Sequence, residues 1–355
     1  MAKESINESL AMVSITRAKE LIKRVILAEK HMPVFMHSSP GIGKSAVTRQ
    51  IATELGMEFV DIRLSTMEPS DLCGIPYVSE GGMNFSIPSW FPTDPESKGI
   101  LFFDELTNAP ITTQHAAYRI ILDRSLQTGL ELPVGWKIVA AGNLKSDKTG
   151  AKDVAPALSN RFAMHIHVKA DLEDFTAYAI SNKLDVGIIG FLNFKAEALY
   201  RFDPMKNEVS FATPRSWEQA SNIRALGFSD ADMTVALSGC IGEGTTSEFQ
   251  AFLKFYQKLP DFRKIMDGTM EYKVPTNDIG VQFAVSSSLI VHLATNYKDA
   301  EKVKNLEKVM TQLPDDQLFL IYKSLKSSDL QVLTMVVNHT KATFSRITEY
   351  FKMSK

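Results

Sequence analysis

The sequence predicts an α/β fold, with a parallel sheet in the first half of the chain and helices in the second. Two continuous apolar runs, residues 100–103 and 138–141, are typical of strands buried on both faces of a parallel sheet. A strand, a glycine-rich loop, a helix and another strand follow one another between residues 34 and 64. From residue 171 onward the strand signals fade and helical spacing dominates.

Composition and charge narrow the class of protein. The 355 residues suffice for about two domains of roughly 100–200 residues each. A formal net charge of −2 argues against nucleic-acid binding through bulk charge. The distant cysteines Cys73 and Cys240 offer no disulfide scaffold, and we find neither a leader-like segment nor an apolar run of the ~18 residues that span a membrane. We therefore expect a cytoplasmic protein with no membrane insertion.

The first predicted elements form a strand, helix and strand unit. Apolar residues at helical spacing indicate a helix over residues 16–30, and the run 34–36 indicates a strand. A helix over 44–55, closed by a glycine, and an alternating strand over 58–64 follow.

An insertion interrupts the predicted sheet. Residues 69–95 are dense in Pro, Gly and Ser, and Gly81 and Gly82 separate two short segments. This pattern predicts a surface insertion that carries a hairpin. A helix over 112–124 then lies between the two buried strands.

The loop between the first strand and its helix reads Ser-Ser-Pro-Gly-Ile-Gly-Lys-Ser and matches a phosphate-binding loop, although Ser38 stands where the pattern has its first glycine. Lys44 would reach the terminal phosphates, and Ser45 would offer its hydroxyl to Mg²⁺. The alternative is a tight strand-to-helix turn without a ligand. The predicted nucleotide-binding residues are Ser39, Pro40, Gly41, Ile42, Gly43, Lys44, Ser45 and Ala46.

An acidic pair, Asp104 and Glu105, ends the first buried strand. Ligands of open α/β sheets bind at the carboxyl ends of the strands, so we expect the pair beside the phosphates. Asp104 would hold Mg²⁺, and Glu105 would orient and deprotonate the attacking water. The alternative is a carboxylate pair that only caps the following helix.

Two further candidates lie next to the second buried strand and next to the strand after it. Asn143 follows it and can bond the γ-phosphate or hold the water, or it can be a turn residue. Arg161 precedes a strand over 162–168 at the edge of the sheet and can reach a neighbouring subunit as an arginine finger, or it can be a surface arginine.

In the helical region, Thr213 and Pro214 are typical of a helix start, which places Arg215 in the first turn. A cation there opposes the helix dipole. An anion such as the γ-phosphate would explain it, and a surface salt bridge is the alternative.

Other charged and metal-binding side chains are weaker candidates. His165 and His167 alternate on one strand face, but no Cys, Asp or Glu stands nearby to complete a zinc site, so we interpret them as strand histidines. Arg119 and Arg124 share one helix and are either solvated surface charges or contacts to a neighbour's nucleotide.

These motifs occur in a fixed order. Gly-Ile-Gly-Lys-Ser, Phe-Phe-Asp-Glu-Leu, Ala-Gly-Asn, Ser-Asn-Arg-Phe and Thr-Pro-Arg-Ser-Trp together resemble the MoxR branch of the AAA+ ATPases, over roughly residues 10–250. Residues 66–74 and 88–92 are similar to that branch's insertion near the second helix, and residues 132–136 to its hairpin before the sensor strand.

The resemblance implies an αβα core with a parallel five-stranded sheet over residues 1–170 and a helical lid with Arg215 over 171–250. Residues 251–355 lie outside the shared motifs, and their helical spacing predicts a helical C-terminal extension. It also implies ATP and Mg²⁺ as cofactors and a ring, usually a hexamer, in which Arg161 acts in trans. Members of the branch are chaperone-like remodellers of protein clients that often work with a von Willebrand A domain partner.

Three other functions stay open. A nucleic-acid motor or loader is possible because related branches include such machines and the C-terminal region has a modest lysine excess. A chelatase-type subunit has no sequence feature in its favour. A scaffold that binds nucleotide without hydrolysis is disfavoured by Glu105.

Overall fold

The computed structural model describes residues 10–79, 81–152, 154–206, 208–256 and 258–348. The chain divides into two compact units. Unit one comprises Met1–Lys169 and the short segment Asp203–Lys206, and unit two comprises Ala170–Phe202 and Asn207–Lys355. Contacts between residues divide the chain after Lys169. The predicted domain boundaries at about residues 170 and 250 stay predictions.

A six-stranded parallel sheet forms the centre of unit one, in the order β1-β8-β2-β7-β6-β3. The α/β prediction with a parallel sheet is therefore confirmed. The strand beyond the expected five is β1, which pairs over only two residues with β8, and two residues carry too little pattern to be predicted. The strands are β1 (Met12–Val13), β2 (Val34–His37), β3 (Glu58–Arg63), β6 (Gly99–Asp104), β7 (Trp136–Gly142) and β8 (Met164–Val168).

Helices cover the central strands of this sheet. Alternate side chains of a strand point to opposite faces. On β6, Leu101 and Phe103 join an apolar cluster with α4, and Ile100 and Phe102 are equally buried. This two-sided burial explains the continuous apolar run. The helices of unit one are α1 (Ile15–Ile26), α2 (Lys44–Glu54), α3 (Pro69–Cys73), α4 (Ile111–Asp123) and α5 (Pro156–Ser159).

A separate two-stranded antiparallel hairpin lies within the predicted insertion. Its strands are β4 (Pro76–Ser79) and β5 (Gly82–Phe85). Gly74 precedes it with φ 87°, and a Cβ there would meet the Ser86 carbonyl oxygen at 1.9 Å, so only glycine fits. A second hairpin is expected before β7. In the described residues this region contains only an isolated antiparallel bridge, between Ser125 and Glu131.

Unit two is helical. Two apolar clusters fill it, one around α7, α8 and α10 and one around α12, α13 and α14. Its helices are α6 (Leu172–Ser181), α7 (Val186–Phe194), α8 (Pro214–Ala225), α9 (Asp230–Ile241), α10 (Glu243–Tyr256), α11 (Phe262–Met266), α12 (Ile279–Asn296), α13 (Ala300–Met310), α14 (Asp315–Ser328), α15 (Leu330–His339) and α16 (Lys341–Arg346).

The longest of these helices, α12, is central to unit two. Among the described residues it is the one helix that by length and composition could cross a membrane. It packs against α7, α10, α13 and α14, and 61% of its apolar window is buried inside the protein. Its apolar character is therefore accounted for by its position in the core.

Candidate functional site

Three predicted motifs meet at the carboxyl edge of the sheet. Strand β7 lies between β2 and β6, and the register pairs His37 with Gly142 and Phe103 with Ala140. The phosphate loop follows β2, the acidic pair closes β6, and Asn143 follows β7. Because the strands are parallel, their carboxyl ends share one edge, and the topology brings the three motifs together.

The phosphate loop is shaped by two glycines and by the start of α2. Gly41 and Gly43 have φ of 77° and 109°, where a side chain would be strained. Gly43 is also the N-cap of α2, and no side chain caps it. Val47 makes the first helical bond, to the Gly43 carbonyl at 2.9 Å, so the N–H groups of the preceding turn remain available to an anion.

The serine at the first glycine position has a structural explanation. Ser38 is fully buried, and it does not lie in the left-handed region, so its backbone conformation does not require glycine. Its N–H donates to the Gly142 carbonyl at 3.2 Å and its hydroxyl to the Ser39 carbonyl at 2.9 Å. Ser38 therefore fastens the loop to the end of β7.

Lys44 links the loop to the end of β7. Its Nζ donates to the Ser38 hydroxyl at 2.9 Å, the Ser38 carbonyl at 3.1 Å and the Asn143 Oδ1 at 3.0 Å. These acceptors are uncharged. Phosphate oxygens are stronger acceptors for an ammonium group, so the chemistry of the site favours an anionic ligand at this position.

The remaining loop residues lie where the sequence places them, although their roles stay predictions. Ile42 is buried, which holds the loop against the protein, and Pro40 lies between Ser39 and the first positive-φ glycine. Ser45 is half-buried in the first turn of α2, and Ala46 is exposed beside it.

The two acidic residues have different surroundings. Asp104 ends β6 and its Oδ1 accepts the Glu105 N–H at 2.8 Å. Burial raises the pKa of Asp104, while this hydrogen bond and the charge of Lys44 oppose the rise. Glu105 has a positive φ of 57°, which is uncommon outside glycine and marks a strained backbone.

The Glu105 carboxylate is held by residues at the end of β3. The Ser65 hydroxyl donates a short hydrogen bond to Oε2, and the Arg63 Nε lies 3.8 Å from Oε1. The Arg63 side chain is 58% exposed and that of Glu105 38%, so water screens the ion pair. The sequence analysis did not identify Ser65, because only the pairing of β3 with β6 brings it there.

Asn143 is at the centre of the strand-end contacts. Its Oδ1 accepts from Lys44, and its Nδ2 donates to the Asn108 Oδ1 at 3.3 Å. Gly142 precedes it, and a Cβ at Gly142 would meet the Thr107 side chain at 2.6 Å. The two loops that follow β6 and β7 are therefore packed directly on each other.

Asp147 also belongs to the site and was missed from the sequence. Its side chain is buried, and its Oδ1 accepts the Ser39 hydroxyl at 3.0 Å. Its Oδ2 is buried and has no hydrogen-bond partner among the described residues. Burial raises the pKa of Asp147, against the Ser39 hydrogen bond and the Lys44 charge. No motif marks this aspartate, because it reaches Ser39 only through the fold of the loop after β7.

The two predicted arginines are each exposed in their own unit. In unit one, Arg161 follows α5, and its guanidinium lies 5.0 Å from the centre of the Tyr118 ring. In unit two, Arg215 lies in the first turn of α8, where Thr213 is the N-cap as predicted and the Ser216 side chain completes a capping box. The catalytic roles of both arginines stay predictions.

His37, which is buried, and His165, which is half-buried, form a hydrogen-bonded pair beneath the phosphate loop. His165 Nε2 lies 2.9 Å from the Ser159 carbonyl, so it donates, and its Nδ1 accepts from His37 Nε2 at 2.9 Å. Burial, reinforced by the neighbouring His165, His167 and Lys44, lowers the pKa of His37 to about 3. Among the described residues no group of three or more His, Cys, Asp or Glu is placed to hold a metal.

Arg124 has a different role from both interpretations of the sequence. It ends α4 in the left-handed conformation with φ 54°, and its guanidinium donates to the carbonyls of Trp136, Leu132 and Pro133 at 2.9, 3.2 and 2.7 Å. Arg124 therefore fixes the segment before β7. Arg119, on the same helix, is exposed.

The residues present fit Mg²⁺ and a nucleoside triphosphate. Hydroxyl and carboxylate oxygens are the ligands that Mg²⁺ prefers, and Ser45 and Asp104 supply one of each. The uncapped α2 and Lys44 supply donors for phosphate oxygens.

Comparisons with known proteins agree with this geometry at the level of the domain. Residues 34–170 match the family model AAA, described as ATPase family associated with various cellular activities. No curated protein matches the chain in sequence.

Solved structures resemble the fold only distantly. Thermotoga maritima RuvB, a Holliday junction branch migration motor, aligns at TM-score 0.38 and 16% identity over 75% of this chain and 78% of that one. A provisionally assigned ATPase from Cytophaga hutchinsonii aligns at TM-score 0.34 and 14% identity, over 90% of this chain and 89% of that one. NtrX from Brucella abortus aligns at TM-score 0.34 and 12% identity, over 94% of this chain and 68% of that one. Likenesses this weak carry no functional argument. The strand-end geometry agrees with the match of residues 34–170 to this ATPase family model.

Proposed function

We propose that this protein binds Mg-ATP and hydrolyses it to ADP and phosphate. The observation that supports this most directly is the meeting of Lys44, Asp104, Glu105 and Asn143 at one edge of the sheet. Residues 39–46 would bind the triphosphate, and Ser45 and Asp104 would hold Mg²⁺, which supplies charge neutralisation at the phosphate oxygens.

Three side chains would carry the reaction beside the phosphates. Glu105 would accept a proton from the attacking water, and Asn143 would position that water or the γ-phosphate. Lys44 would move from its present uncharged acceptors to phosphate oxygens.

We further propose that the protein works as a ring, in a hexamer, with each nucleotide between two subunits. Arg161 would reach the neighbour's nucleotide and Arg215 the γ-phosphate in its own subunit. In support, both side chains are exposed cations, and the order of the motifs resembles the MoxR branch of AAA+ proteins. The work of the ring would be the remodelling of a protein client, with a von Willebrand A domain protein as partner.

A dilution experiment tests the shared site. Phosphate release per subunit should fall as the protein is diluted, and Arg161→Ala should lower it at least 100-fold with ATP binding retained, because an arginine finger acts on the transition state. Arg17→Ala, at an exposed arginine on α1, is the matched control. A rate per subunit that is independent of concentration, together with an unchanged rate in Arg161→Ala, would remove the ring from the proposal.

Capture with Glu105→Gln tests the client. This variant should bind ATP and turn it over slowly, and so retain a bound client in native extract. Recovery of a protein with a von Willebrand A domain supports the remodelling function. Recovery of nuclease-sensitive DNA or RNA, lost as salt is raised, would instead make the protein a nucleic-acid motor.

A further inference from the structure

The hairpin β4–β5 exposes hydrophobic side chains on one face. The register pairs Pro76 with Phe85 and Val78 with Met83, and these four residues share one face because strand side chains alternate. Val78 is 87% exposed and Met83 70%. This face is therefore wholly apolar, although most antiparallel sheets cover their apolar face with a core.

The opposite face of the hairpin is different in character. It carries the cross-strand pairs Tyr77 with Asn84 and Ser79 with Gly82. The Asn84 amide donates to the Ser79 hydroxyl at 2.5 Å, a bond between two exposed side chains. The opposite face thus mixes Tyr77 with polar side chains, whereas the face of Val78 and Met83 is apolar throughout and open to water.

The base of the hairpin is fixed, so this face is presented by a defined scaffold. The Ile75 N–H donates to the Ser86 hydroxyl at 2.9 Å, and the Ser86 N–H donates to the Ile75 carbonyl at 2.9 Å. The Trp90 Nε1 donates to the Asp71 carbonyl at 2.9 Å, and Leu72 is fully buried. A two-stranded ribbon is only marginally stable by itself, and these contacts supply the missing support.

The sequence segment that contains the hairpin carries charge of one sign. Residues 64–97 contain no Lys or Arg and carry five acids, namely Glu68, Asp71, Glu80, Asp94 and Glu96. The chain as a whole carries a net charge of only −2, so the acidity is local. Such a segment repels phosphate groups and attracts cations.

We propose that the apolar face of the β4–β5 hairpin binds an extended polypeptide segment that combines apolar and basic side chains. Apolar side chains would cover Val78 and Met83, and lysines or arginines would face the surrounding acids. This inference deepens the proposed function by giving the chemistry of the protein client, and it rests on that function for the client being a protein.

The test measures binding without hydrolysis. The full chain is titrated against a fluorescent 12-residue peptide of alternating Lys and Leu, and binding is followed by anisotropy. Val78→Ser combined with Met83→Ser should weaken binding at least tenfold. Tyr77→Ser, which removes an exposed apolar side chain from the other face, should leave binding unchanged. Both side chains of the double variant are exposed, so its unfolding temperature should match that of the wild type.

Three matched ligands separate the contributions. A peptide with Glu in place of Lys, a peptide with Ser in place of Leu and a 12-nucleotide single strand of DNA should each bind at least tenfold more weakly. Equal binding of the Glu peptide, or of the DNA, would overturn the inference. Binding of the Lys and Leu peptide should also weaken as salt is raised.

A second copy of the chain is the competing occupant, and light scattering decides it. If the double variant changes the oligomeric mass and leaves peptide binding intact, the face is a subunit contact and the inference is wrong. The outcome is independent of the ATPase proposal: peptide binding that needs Val78 and Met83 would stand even if the wild type hydrolysed no ATP, and an active ATPase whose double variant still bound the peptide would refute this inference alone.

Discussion

The two units each contain a cluster of polar side chains, and the clusters differ in how their hydrogen bonds are satisfied. The strand-end cluster of unit one consists of Lys44, Asp104, Glu105, Asn143 and Asp147. The hydroxyl cluster of unit two consists of Tyr322, Thr340 and Thr343, all fully buried.

In the hydroxyl cluster, every hydroxyl has a hydrogen-bond partner. The Tyr322 Oη lies 2.6 Å from the hydroxyls of both Thr340 and Thr343. The Thr340 hydroxyl donates to the Val336 carbonyl at 2.9 Å, and the Thr343 hydroxyl lies 3.2 Å from the Glu307 carboxylate. A buried network in which each hydroxyl has a partner contributes to stability and to a unique packing.

In the strand-end cluster, the hydrogen bonds are not all satisfied by the described residues. It brings a lysine and three carboxylates together, one buried Asp147 oxygen has no partner among the described residues, and Glu105 is strained and partly exposed. Such an arrangement is poorly explained by stability, because unpaired buried polar atoms cost about 1–3 kcal/mol. The difference indicates that unit two's cluster holds the fold and unit one's cluster is arranged for a ligand.

The largest expected effect tests this division directly. Glu105→Gln should lower the rate of ATP hydrolysis by about 10²–10⁴, because the amide cannot accept the proton of the attacking water. Its unfolding temperature should stay close to that of the wild type. Phosphate release and thermal unfolding measure the two expectations. A variant that hydrolyses ATP at the wild-type rate would contradict the catalytic role of Glu105.

Tyr322→Phe should show the reverse pattern. Removing the hydroxyl deletes the centre of a buried network, which should cost about 1–2 kcal/mol of the free energy of unfolding. This corresponds to a fall of roughly 2–8 °C in the unfolding temperature of a domain of this size. Hydrolysis per folded molecule should not change. Thermal unfolding followed by circular dichroism tests this, and a loss of hydrolysis without a loss of stability would break the comparison.

Ser65→Ala should have a smaller effect on the rate. The Ser65 hydroxyl donates to Glu105 and so competes with water for the carboxylate. Without this donor we expect basal hydrolysis to rise about two- to fivefold, at a cost near 1 kcal/mol for the lost hydrogen bond. Ser70→Ala, at an exposed serine on α3, controls for a serine substitution in the same segment. An unchanged or lower basal rate would show that Ser65 does not restrain Glu105.

Asp147→Asn should give the smallest effect, and the size of this effect on the unfolding temperature depends on pH. Because burial raises the pKa of Asp147, the folded protein holds this proton more tightly than the unfolded chain does. The stability contributed by the protonated carboxyl is complete below about pH 4, the ordinary pKa, and is lost as the pH rises through the folded pKa.

The asparagine variant cannot ionise and should escape this loss. Its unfolding temperature relative to the wild type should therefore rise between pH 4 and pH 7, by about 1–3 °C. Asp123→Asn, at an exposed position on α4, controls for the removal of a charge. A difference between Asp147→Asn and the wild type that is the same at every pH would contradict the prediction.

The fold of unit one could be predicted where the pattern was local and strong. The apolar runs of β6 and β7 and the glycines before α2 identify strands and a loop by their own composition. The two-residue β1 and the bridge between Ser125 and Glu131 could not be predicted, because they depend on pairing with distant segments. Arg124 was misinterpreted for the same reason, since its carbonyl partners lie beyond the end of its own helix.

The sequence by itself determined which residues can bind phosphate and where the strands end, because glycine conformation, helix starts and apolar runs are properties of neighbouring residues. Only the tertiary structure decided that Ser65 holds Glu105, that Asp147 holds Ser39, and that the hairpin leaves one apolar face open. The physical reason is the separation of the partners along the chain. Side chains 40 or 108 positions apart can form a hydrogen bond only after parallel strands bring their carboxyl ends to one edge of the sheet.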